Sequence, residues 1–165
     1  METEELRVGA GWDSHPLVSG RTLVLGGVRI PYHKGLSGWS DADAAIHAIV
    51  DALCGAADLG DIGTLFPSGE QRYRGISSLA LLGKTNELLK AKGLRVVNID
   101  VTIIAEEPKL SAFIPEMRKR LAQALALDST QVTVKATTAD GLGFVGRGEG
   151  IVAHSVALVR KTLTV

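Results

Sequence analysis

The residues with the clearest capacity for chemistry are an aspartate and two histidines in the first third of the chain. Asp13 and His15 lie in a segment, 6–17, whose alternating apolar residues predict a β-strand. Side chains two positions apart point to the same face of a strand, so the carboxylate and the imidazole converge. Pro16 follows and is expected to end the strand, which places the pair at its edge, near solvent.

His47 supplies a third candidate ligand, on the clearest helix start in the chain. Ser40 is predicted to be the N-cap, with the acidic Asp43 three residues later, and the helix should run to about Ala57 and stop near Gly60. Three protein ligands leave the fourth position of a tetrahedral zinc site open, as in catalytic sites. From spacing alone the alternatives stay open, because a D-x-H pattern also arises by chance and a histidine on an apolar helix is often a packed core residue.

The elements that must position these residues form one α/β domain over residues 1–165. Strand-like segments dominate both ends of the chain, which favours a mixed sheet packed by helices. We predict a hairpin at 22–30, helices at about 77–92 and 111–126, and strands at 96–105, 131–137 and 151–159. Residues 61–75 are expected to form a mobile loop.

The composition argues against several classes of function. Lys+Arg and Asp+Glu both number 18, so the basic excess typical of a nucleic-acid-binding protein is absent. No apolar run approaches the ~20 residues that span a bilayer, and the first five residues lack the apolar region of a signal peptide. We therefore expect a cytoplasmic protein. Cys54 is the single cysteine and is expected to be buried and structural.

Two motif matches fail when their context is considered. Residues 141–146 fit G-x-G-x-x-G, but the following segment alternates like a strand, whereas a dinucleotide site requires a helix to begin there. Residues 41–52 faintly resemble a calcium loop but lack its glycine and glutamate at the sixth and twelfth positions. Neither a dinucleotide nor a calcium site is predicted.

Nine short motifs occur in one fixed order. They are 11–15 (GWDSH), 26–31 (GGVRIP), 40–47 (SDADAAIH), 59–63 (LGDIG), 65–67 (LFP), 100–105 (DVTIIA), 108–109 (PK), 134–138 (VKATT) and 143–150 (GFVGRGEG). Together they closely resemble the 2-C-methyl-D-erythritol 2,4-cyclodiphosphate synthase family of the non-mevalonate isoprenoid pathway. The resemblance covers roughly residues 6–160.

This resemblance implies a homotrimer with each active site between two subunits, and zinc on Asp13, His15 and His47. The implied substrate is 4-diphosphocytidyl-2-C-methyl-D-erythritol 2-phosphate, whose 2-phosphate attacks the β-phosphate so that CMP leaves and a cyclic diphosphate remains. It also implies a second divalent cation, magnesium or manganese, whose protein ligand would be Asp140, at a position where the family usually has glutamate.

The resemblance further implies roles for individual side chains. Asp61, Lys109 and Thr138 would be catalytic, and the first would hold the hydroxyls of the substrate. The implied substrate-binding residues are Trp39, Ser40, Asp61, Ile62, Gly63, Ala105, Glu106, Glu107, Pro108, Lys109, Leu110, Thr137, Thr138, Asp140, Phe144 and Arg147. Of these, Phe144 and Arg147 would line, with Trp12, a central trimer cavity that accepts an isoprenoid diphosphate. Arg147 and Glu149 could equally form an interface salt-bridge cluster.

Two positions depart from the family pattern. Trp39 stands where histidine is common, and Ser68 stands where an acid is common. These departures keep open a non-catalytic trimer that binds cytidine nucleotides or isoprenoid diphosphates. The metal set taken alone would also suit a zinc phosphohydrolase, which transfers water and yields no cyclic product.

Overall fold

The computed structural model describes residues 3–163, which form a mixed five-stranded sheet covered by helices. The strands are β1 (Thr3–Ser19), β2 (Leu23–Leu25), β3 (Val28–Ile30), β4 (Lys34–Leu36), β5 (Leu94–Ile104), β6 (Val132–Thr137) and β7 (Gly150–Leu163). The order in the five-stranded sheet is β4-β1-β7-β5-β6, in which β1 and β7 are the long central pair. Among the described strands only β5 and β6 pair in parallel, so the predicted mixed α/β fold is confirmed.

The predicted hairpin is the separate two-stranded ribbon of β2 and β3. The helices are α1 (Ala44–Ala57), α2 (Ile62–Leu65), α3 (Ser78–Ala91), α4 (Ile114–Leu125) and α5 (Gly143–Gly146). The three long helices lie within a few residues of their predicted bounds. Cys54 is fully buried on α1, as predicted. Within residues 3–163, no helix combines the length and apolar character needed to cross a membrane.

Helix α1 lies unusually close to β1, at two glycines. A Cβ atom on Gly9 would lie 1.9 Å from the carbonyl oxygen of Ala52, and one on Gly11 would lie 1.9 Å from that of Ala48. Both distances are far below van der Waals contact, so only glycine permits this approach. The small residues on both elements therefore set the distance between the strand that carries Asp13 and the helix that carries His47.

The predicted N-cap of α1 is wrong, because the helix begins at Ala44 and its cap is Asp43. Ala42 has a positive φ of 57°, which breaks any helical path from Ser40. The Asp43 carboxylate accepts from the backbone N–H groups of Ile46 (3.1 Å), Gly26 (2.9 Å) and Gly27 (2.7 Å). It thus caps the helix and ties it to the hairpin at the same time.

The prediction that Pro16 ends the first strand is also wrong, because β1 continues to Ser19. Pro16 lies where β1 changes partners, opposite Gly150 of β7 and directly before the Leu17–Leu36 pair with β4. Its carbonyl accepts from the N–H of Ser37 at 2.9 Å. A missing N–H is tolerated at such a changeover, since no ladder bond is lost there.

Two segments for which the sequence predicted no helix contain helical turns. Residues 61–75 include α2 and a 3₁₀ turn, Gln71–Tyr73, and are not a simple loop. Helix α2 forms because the Asp61 carboxylate accepts from the N–H of Thr64 at 2.7 Å, an N-cap within a short glycine-containing turn. Residues 143–146, which lie within the G-x-G-x-x-G match where no helix was predicted, form the short helix α5 before β7 begins.

Candidate metal centre and active site

Asp13, His15 and His47 converge on one point between β1 and α1. Asp13 Oδ2 lies 2.9 Å from His15 Nε2 and 3.1 Å from His47 Nδ1, and the two ring nitrogens are 3.1 Å apart. The two residues on β1 share a face, as the strand period requires. Among the described residues this is the one group of three or more His, Cys, Asp or Glu side chains close enough to hold a metal.

The protonation of His15 is set by the backbone. Its Nδ1 lies 2.8 Å from the carbonyl oxygen of Ser37, and a carbonyl accepts but does not donate. Nδ1 therefore carries the proton of the neutral ring, and the lone pair of Nε2 points at Asp13 and His47. This is the tautomer that a metal ligand needs.

The electrostatics of the centre favour a bound cation. Burial raises the pKa of the Asp13 carboxyl, but hydrogen bonds and charges from His15 and His47 outweigh it and leave that pKa lowered. Burial lowers the pKa of His15, but the hydrogen bond and charge of Asp13 outweigh it and leave that pKa raised. These shifts describe the protonated form of His15, whose Nε2–H donates to Asp13 at the place where a metal ion would bind, so the centre favours a positive charge.

The donor set fits a divalent metal. Ligands of a tetrahedral zinc ion with bonds of about 2.0–2.1 Å lie roughly 3.3–3.4 Å apart. The three donor atoms here are 2.9–3.1 Å apart, so only small movements separate this arrangement from a coordination triangle. Two imidazoles and one carboxylate are typical zinc ligands and leave one position for substrate.

A cavity of about 180 Å³ opens beside the three ligands. It is lined by Asp13, His15, Trp39, Ser40, His47, Ile62, Gly63, Phe66, Ser68, Tyr73 and Leu81. Four of the predicted substrate-binding residues, at positions 39, 40, 62 and 63, therefore lie beside the metal centre. Trp39 and Ser68, the two residues that depart from the family pattern, both line this cavity.

Trp39 holds the far wall of this cavity in place. Its indole N–H donates to the carbonyl of Glu70 at 3.0 Å, and its own carbonyl accepts from Gly75 N–H at 2.8 Å. The Arg74 guanidinium lies 5.9 Å from the indole centre, within cation–π range. Trp39 therefore contacts the segment after α2, residues 70–75, at three positions.

Asp61 stands next to the cavity on an ordered turn. Its carboxylate accepts from both the N–H and the hydroxyl of Thr64, which lowers its pKa. The turn is also tied to α1, because Asp51 accepts from the N–H of Ile62 at 2.7 Å. Burial raises the pKa of Asp51. The helix that carries His47 therefore also fixes the turn that carries Asp61.

The other predicted substrate residues form a second group at the ends of β5 and β6. The loop after β5 contains Ala105, Glu106, Glu107, Pro108, Lys109 and Leu110, and the loop after β6 contains Thr137, Thr138 and Asp140. The Glu106 carboxylate joins the two loops by accepting from the N–H groups of Ala139 (3.1 Å) and Gly141 (3.2 Å). None of these nine residues lines the cavity beside the metal ligands.

The residues predicted for a central cavity are exposed. Trp12 alternates with Asp13 on β1 and so lies on the opposite face of the sheet from the metal centre. Phe144 packs over Gly150, and Arg147 makes a two-pronged ion pair with Glu149 at 2.8 and 3.1 Å. These two side chains therefore pair within one chain, and the interface salt-bridge cluster stays a prediction.

Sequence reasoning missed three side chains that support the site, Ser78, Asp41 and Asp51. The Ser78 hydroxyl lies 3.0 Å from His47 Nε2 and donates to Asp41, and Asp51 accepts from the N–H of Ile62. The hydroxyl of Ser40, a predicted substrate-binding residue, lies 3.1 Å from the same nitrogen. Ser78 lies 31 positions from His47 and carries no local signal. Asp41 follows the predicted cap, and the sequence offered only the helix dipole and a rejected calcium loop as reasons for its carboxylate.

Comparisons with known proteins show which family the chain is similar to. The YgbB family matches residues 6–160. The chain is 59% identical to a 2-C-methyl-D-erythritol 2,4-cyclodiphosphate synthase of Pelotomaculum thermopropionicum, over 95% of this chain and 97% of that protein. A solved structure of 2C-methyl-D-erythritol-2,4-cyclodiphosphate synthase in a CDP-bound form superposes with a TM-score of 0.85 and 35% identity, over 93% of this chain and 99% of that one. A structure of the bifunctional IspDF from Campylobacter jejuni gives a TM-score of 0.93 and 37% identity over 96% of this chain, which spans 43% of that longer protein.

Proposed function

Because the chain belongs to the YgbB family, we propose that the centre formed by Asp13, His15 and His47 is the active-site metal of a cyclodiphosphate synthase. The enzyme converts 4-diphosphocytidyl-2-C-methyl-D-erythritol 2-phosphate to 2-C-methyl-D-erythritol 2,4-cyclodiphosphate and releases CMP. It is a phosphorus–oxygen lyase of isoprenoid biosynthesis. The whole chain acts as one such domain.

The reaction needs positioning and charge neutralisation and no protein nucleophile. An oxygen of the 2-phosphate forms a bond to the β-phosphorus, and the bond from that phosphorus to the oxygen of CMP breaks. Asp61 holds the hydroxyls of the methylerythritol unit from its ordered turn. Lys109 neutralises phosphate charge, and Thr138 donates a hydrogen bond to the diphosphate.

Zinc is the ion that suits Asp13, His15 and His47, and when bound it supplies Lewis-acid polarisation of the β-phosphate. A second, harder cation, Mg²⁺ or Mn²⁺, suits the oxygen ligands of the diphosphate together with the exposed Asp140 carboxylate. The carboxylate of Asp140 is one methylene shorter than the usual glutamate. Asp140 would be the protein residue that holds this ion.

We propose a homotrimer in which each active site combines two subunits. The outer face of the central strands exposes Leu6 (59%), Val8 (68%), Trp12 (56%) and Val156 (39%), an apolar surface of the kind that marks a protein interface. The division of the predicted substrate residues into two groups supports the same arrangement. The loops after β5 and β6 of one subunit complete the metal cavity of the next subunit. The cytosine base of the substrate then contacts residues 105–110.

The central cavity of this trimer would bind an isoprenoid diphosphate. Trp12 and Phe144 supply the apolar lining and Arg147 the charge toward the diphosphate. This ligand and the cytoplasmic location of the enzyme stay predictions.

The observation that carries the proposal is the convergence of the three ligand atoms on one cavity. The test incubates the protein with its substrate, Zn²⁺ and Mg²⁺, and follows CMP release with the mass of the product. We expect CMP and cyclic diphosphate in equal amounts, no product with Asp13→Asn, and full activity with Asp58→Asn, a matched change at the exposed end of α1.

Two outcomes would overturn the proposal. Tight CMP binding without turnover by the metal-loaded trimer would make the protein a binding module. A linear product that has gained water would make it a phosphohydrolase.

A further inference from the structure

One side chain joins the two loops that carry the second group of predicted substrate residues. The Glu106 carboxylate, from the loop after β5, accepts from the N–H of Ala139 at 3.1 Å through Oε2 and from the N–H of Gly141 at 3.2 Å through Oε1. Hydrogen bonds to an ionised acceptor are stronger than those to a neutral one. Each carboxylate oxygen thus holds one amide of the loop after β6, across 33 and 35 positions of sequence.

The segment that Glu106 holds is a tight turn in the left-handed region. Asp140 has a φ of 52° and Gly141 a φ of 73°. The Leu142 N–H donates to the Ala139 carbonyl at 2.9 Å and closes the turn. Positive φ at both central residues is typical of a type I′ turn, which favours aspartate and glycine there. The carboxylate therefore binds amides on both sides of Asp140 and fixes the backbone from which that side chain extends.

The two loops are anchored to the subunit to different degrees. Between positions 135 and 144 every residue is exposed except Ala139, which is half-buried. In the loop after β5, by contrast, Leu110 is buried, and the N–H of Ala105 donates to the carbonyl of Thr137 at 3.0 Å. Glu106 therefore ties the exposed loop to the better anchored one.

We propose that Glu106 is a positioning residue, which fastens the turn carrying Asp140 to the loop carrying Lys109. For its ligand, a cytidine diphosphate with a divalent cation, this role rests on the proposed function, whereas the fastened turn is a property of the ligand-free protein. The Glu106 side chain faces the neighbouring loop and not the base. A loop that is ordered before binding loses less conformational entropy when the ligand binds, which raises the affinity.

The place of Glu106 decides which part of the ligand depends on it. The base contacts residues 105–110, whose own anchors remain when the carboxylate is removed. The diphosphate and its cation contact Lys109, Thr138 and Asp140, and the last two belong to the loop after β6. Loss of the Glu106 carboxylate should therefore weaken binding of the diphosphate and leave binding of the nucleoside unchanged.

The first measurement is amide hydrogen exchange of the ligand-free protein. The N–H groups of Ala139 and Gly141 should exchange about tenfold or more faster in Glu106→Ala than in the wild type, because two bonds to a charged acceptor are lost. Glu106→Gln keeps one acceptor oxygen and should lie between the two. Glu87→Ala, at an exposed glutamate of α3, is the matched control and should exchange like the wild type.

The second measurement is the binding of cytidine and of CDP with Mg²⁺, each followed by NMR titration. We expect the CDP affinity to be about tenfold or more lower in Glu106→Ala than in Glu87→Ala. The cytidine affinity should be the same in both variants. Glu106→Gln should recover part of the CDP affinity.

The outcomes separate the role of Glu106 from the proposed function. Wild-type exchange at Ala139 and Gly141 in Glu106→Ala would overturn the positioning role. Equal losses of cytidine and CDP affinity would also overturn it, because Glu106 would then support the base site. Faster exchange at the turn together with no CDP binding by the wild type would support the fastened turn and overturn the proposed function. Circular dichroism verifies that each variant is folded, and Glu106→Gln provides the test if Glu106→Ala is not.

Discussion

The close packing of α1 on β1 predicts that Gly11→Ala damages the metal centre although Gly11 is not a ligand. The added Cβ would lie 1.9 Å from the carbonyl oxygen of Ala48 and 2.7 Å from the amide nitrogen of Ala52. Both are backbone atoms of a helix, so no side-chain rotation relieves the contact. Ordinary contact begins near 3.4 Å, and the helix must therefore retreat by about 1.5 Å.

The size of the effect follows from this displacement. His47 precedes Ala48 on α1, so its Nδ1 moves away from Asp13 by a similar distance, whereas metal bonds tolerate only about 0.2 Å. Four ligands give zinc about 10–16 kcal/mol, or roughly 3 kcal/mol each, so losing one ligand weakens binding by roughly 100-fold. Overpacking should also lower stability by about 1–3 kcal/mol, which for this chain length lowers Tm by about 2–12 °C.

The assay is a competitive Zn²⁺ titration together with thermal unfolding of the metal-free protein. The matched control is Gly55→Ala on the same helix, where the nearest atom to the new Cβ is 3.9 Å away. That variant should keep its zinc affinity and gain about 0.5–1 kcal/mol, because alanine favours a helix. Wild-type zinc affinity and Tm in Gly11→Ala would refute the reasoning that glycine sets the position of His47.

Two further predictions concern buried titratable groups. Burial and the charge of Asp41 raise the pKa of Asp43 to about 6, so from about pH 4 to 6 the folded state binds more protons than the unfolded state. Deprotonation of Asp43 therefore lowers the free energy of unfolding by about 3 kcal/mol as the pH rises through this window. Urea unfolding of the metal-free protein should show this loss of stability in the wild type and not in Asp43→Asn. Parallel pH profiles of stability for the two proteins would contradict the prediction. Burial also raises the pKa of the Cys54 thiol to about 12. A disulfide reagent that reacts with thiolates at about pH 8 should therefore label one thiol in urea and none in the native protein. Rapid labelling of the native protein would contradict the buried, protonated state of Cys54.

The local part of the site could be predicted from the sequence. Asp13 and His15 converge because the period of a strand is two, and this holds wherever the strand packs. The bounds of the long helices and the hairpin also followed from short-range patterns. The ordered motifs added the identity of the family, which the single D-x-H pattern could not establish.

The tertiary structure alone decided how these parts meet. Strand β1 continues past Pro16 because it changes its partner strand at that residue. The start of α1 depends on the backbone N–H groups of the hairpin that donate to Asp43. His47 reaches Asp13 across 34 positions only because Gly9 and Gly11 let the helix approach. The hydroxyl of Ser78, a further 31 positions away, lies 3.0 Å from His47 Nε2. Such contacts join residues that are distant in sequence, and their geometry is fixed by packing and not by local propensity.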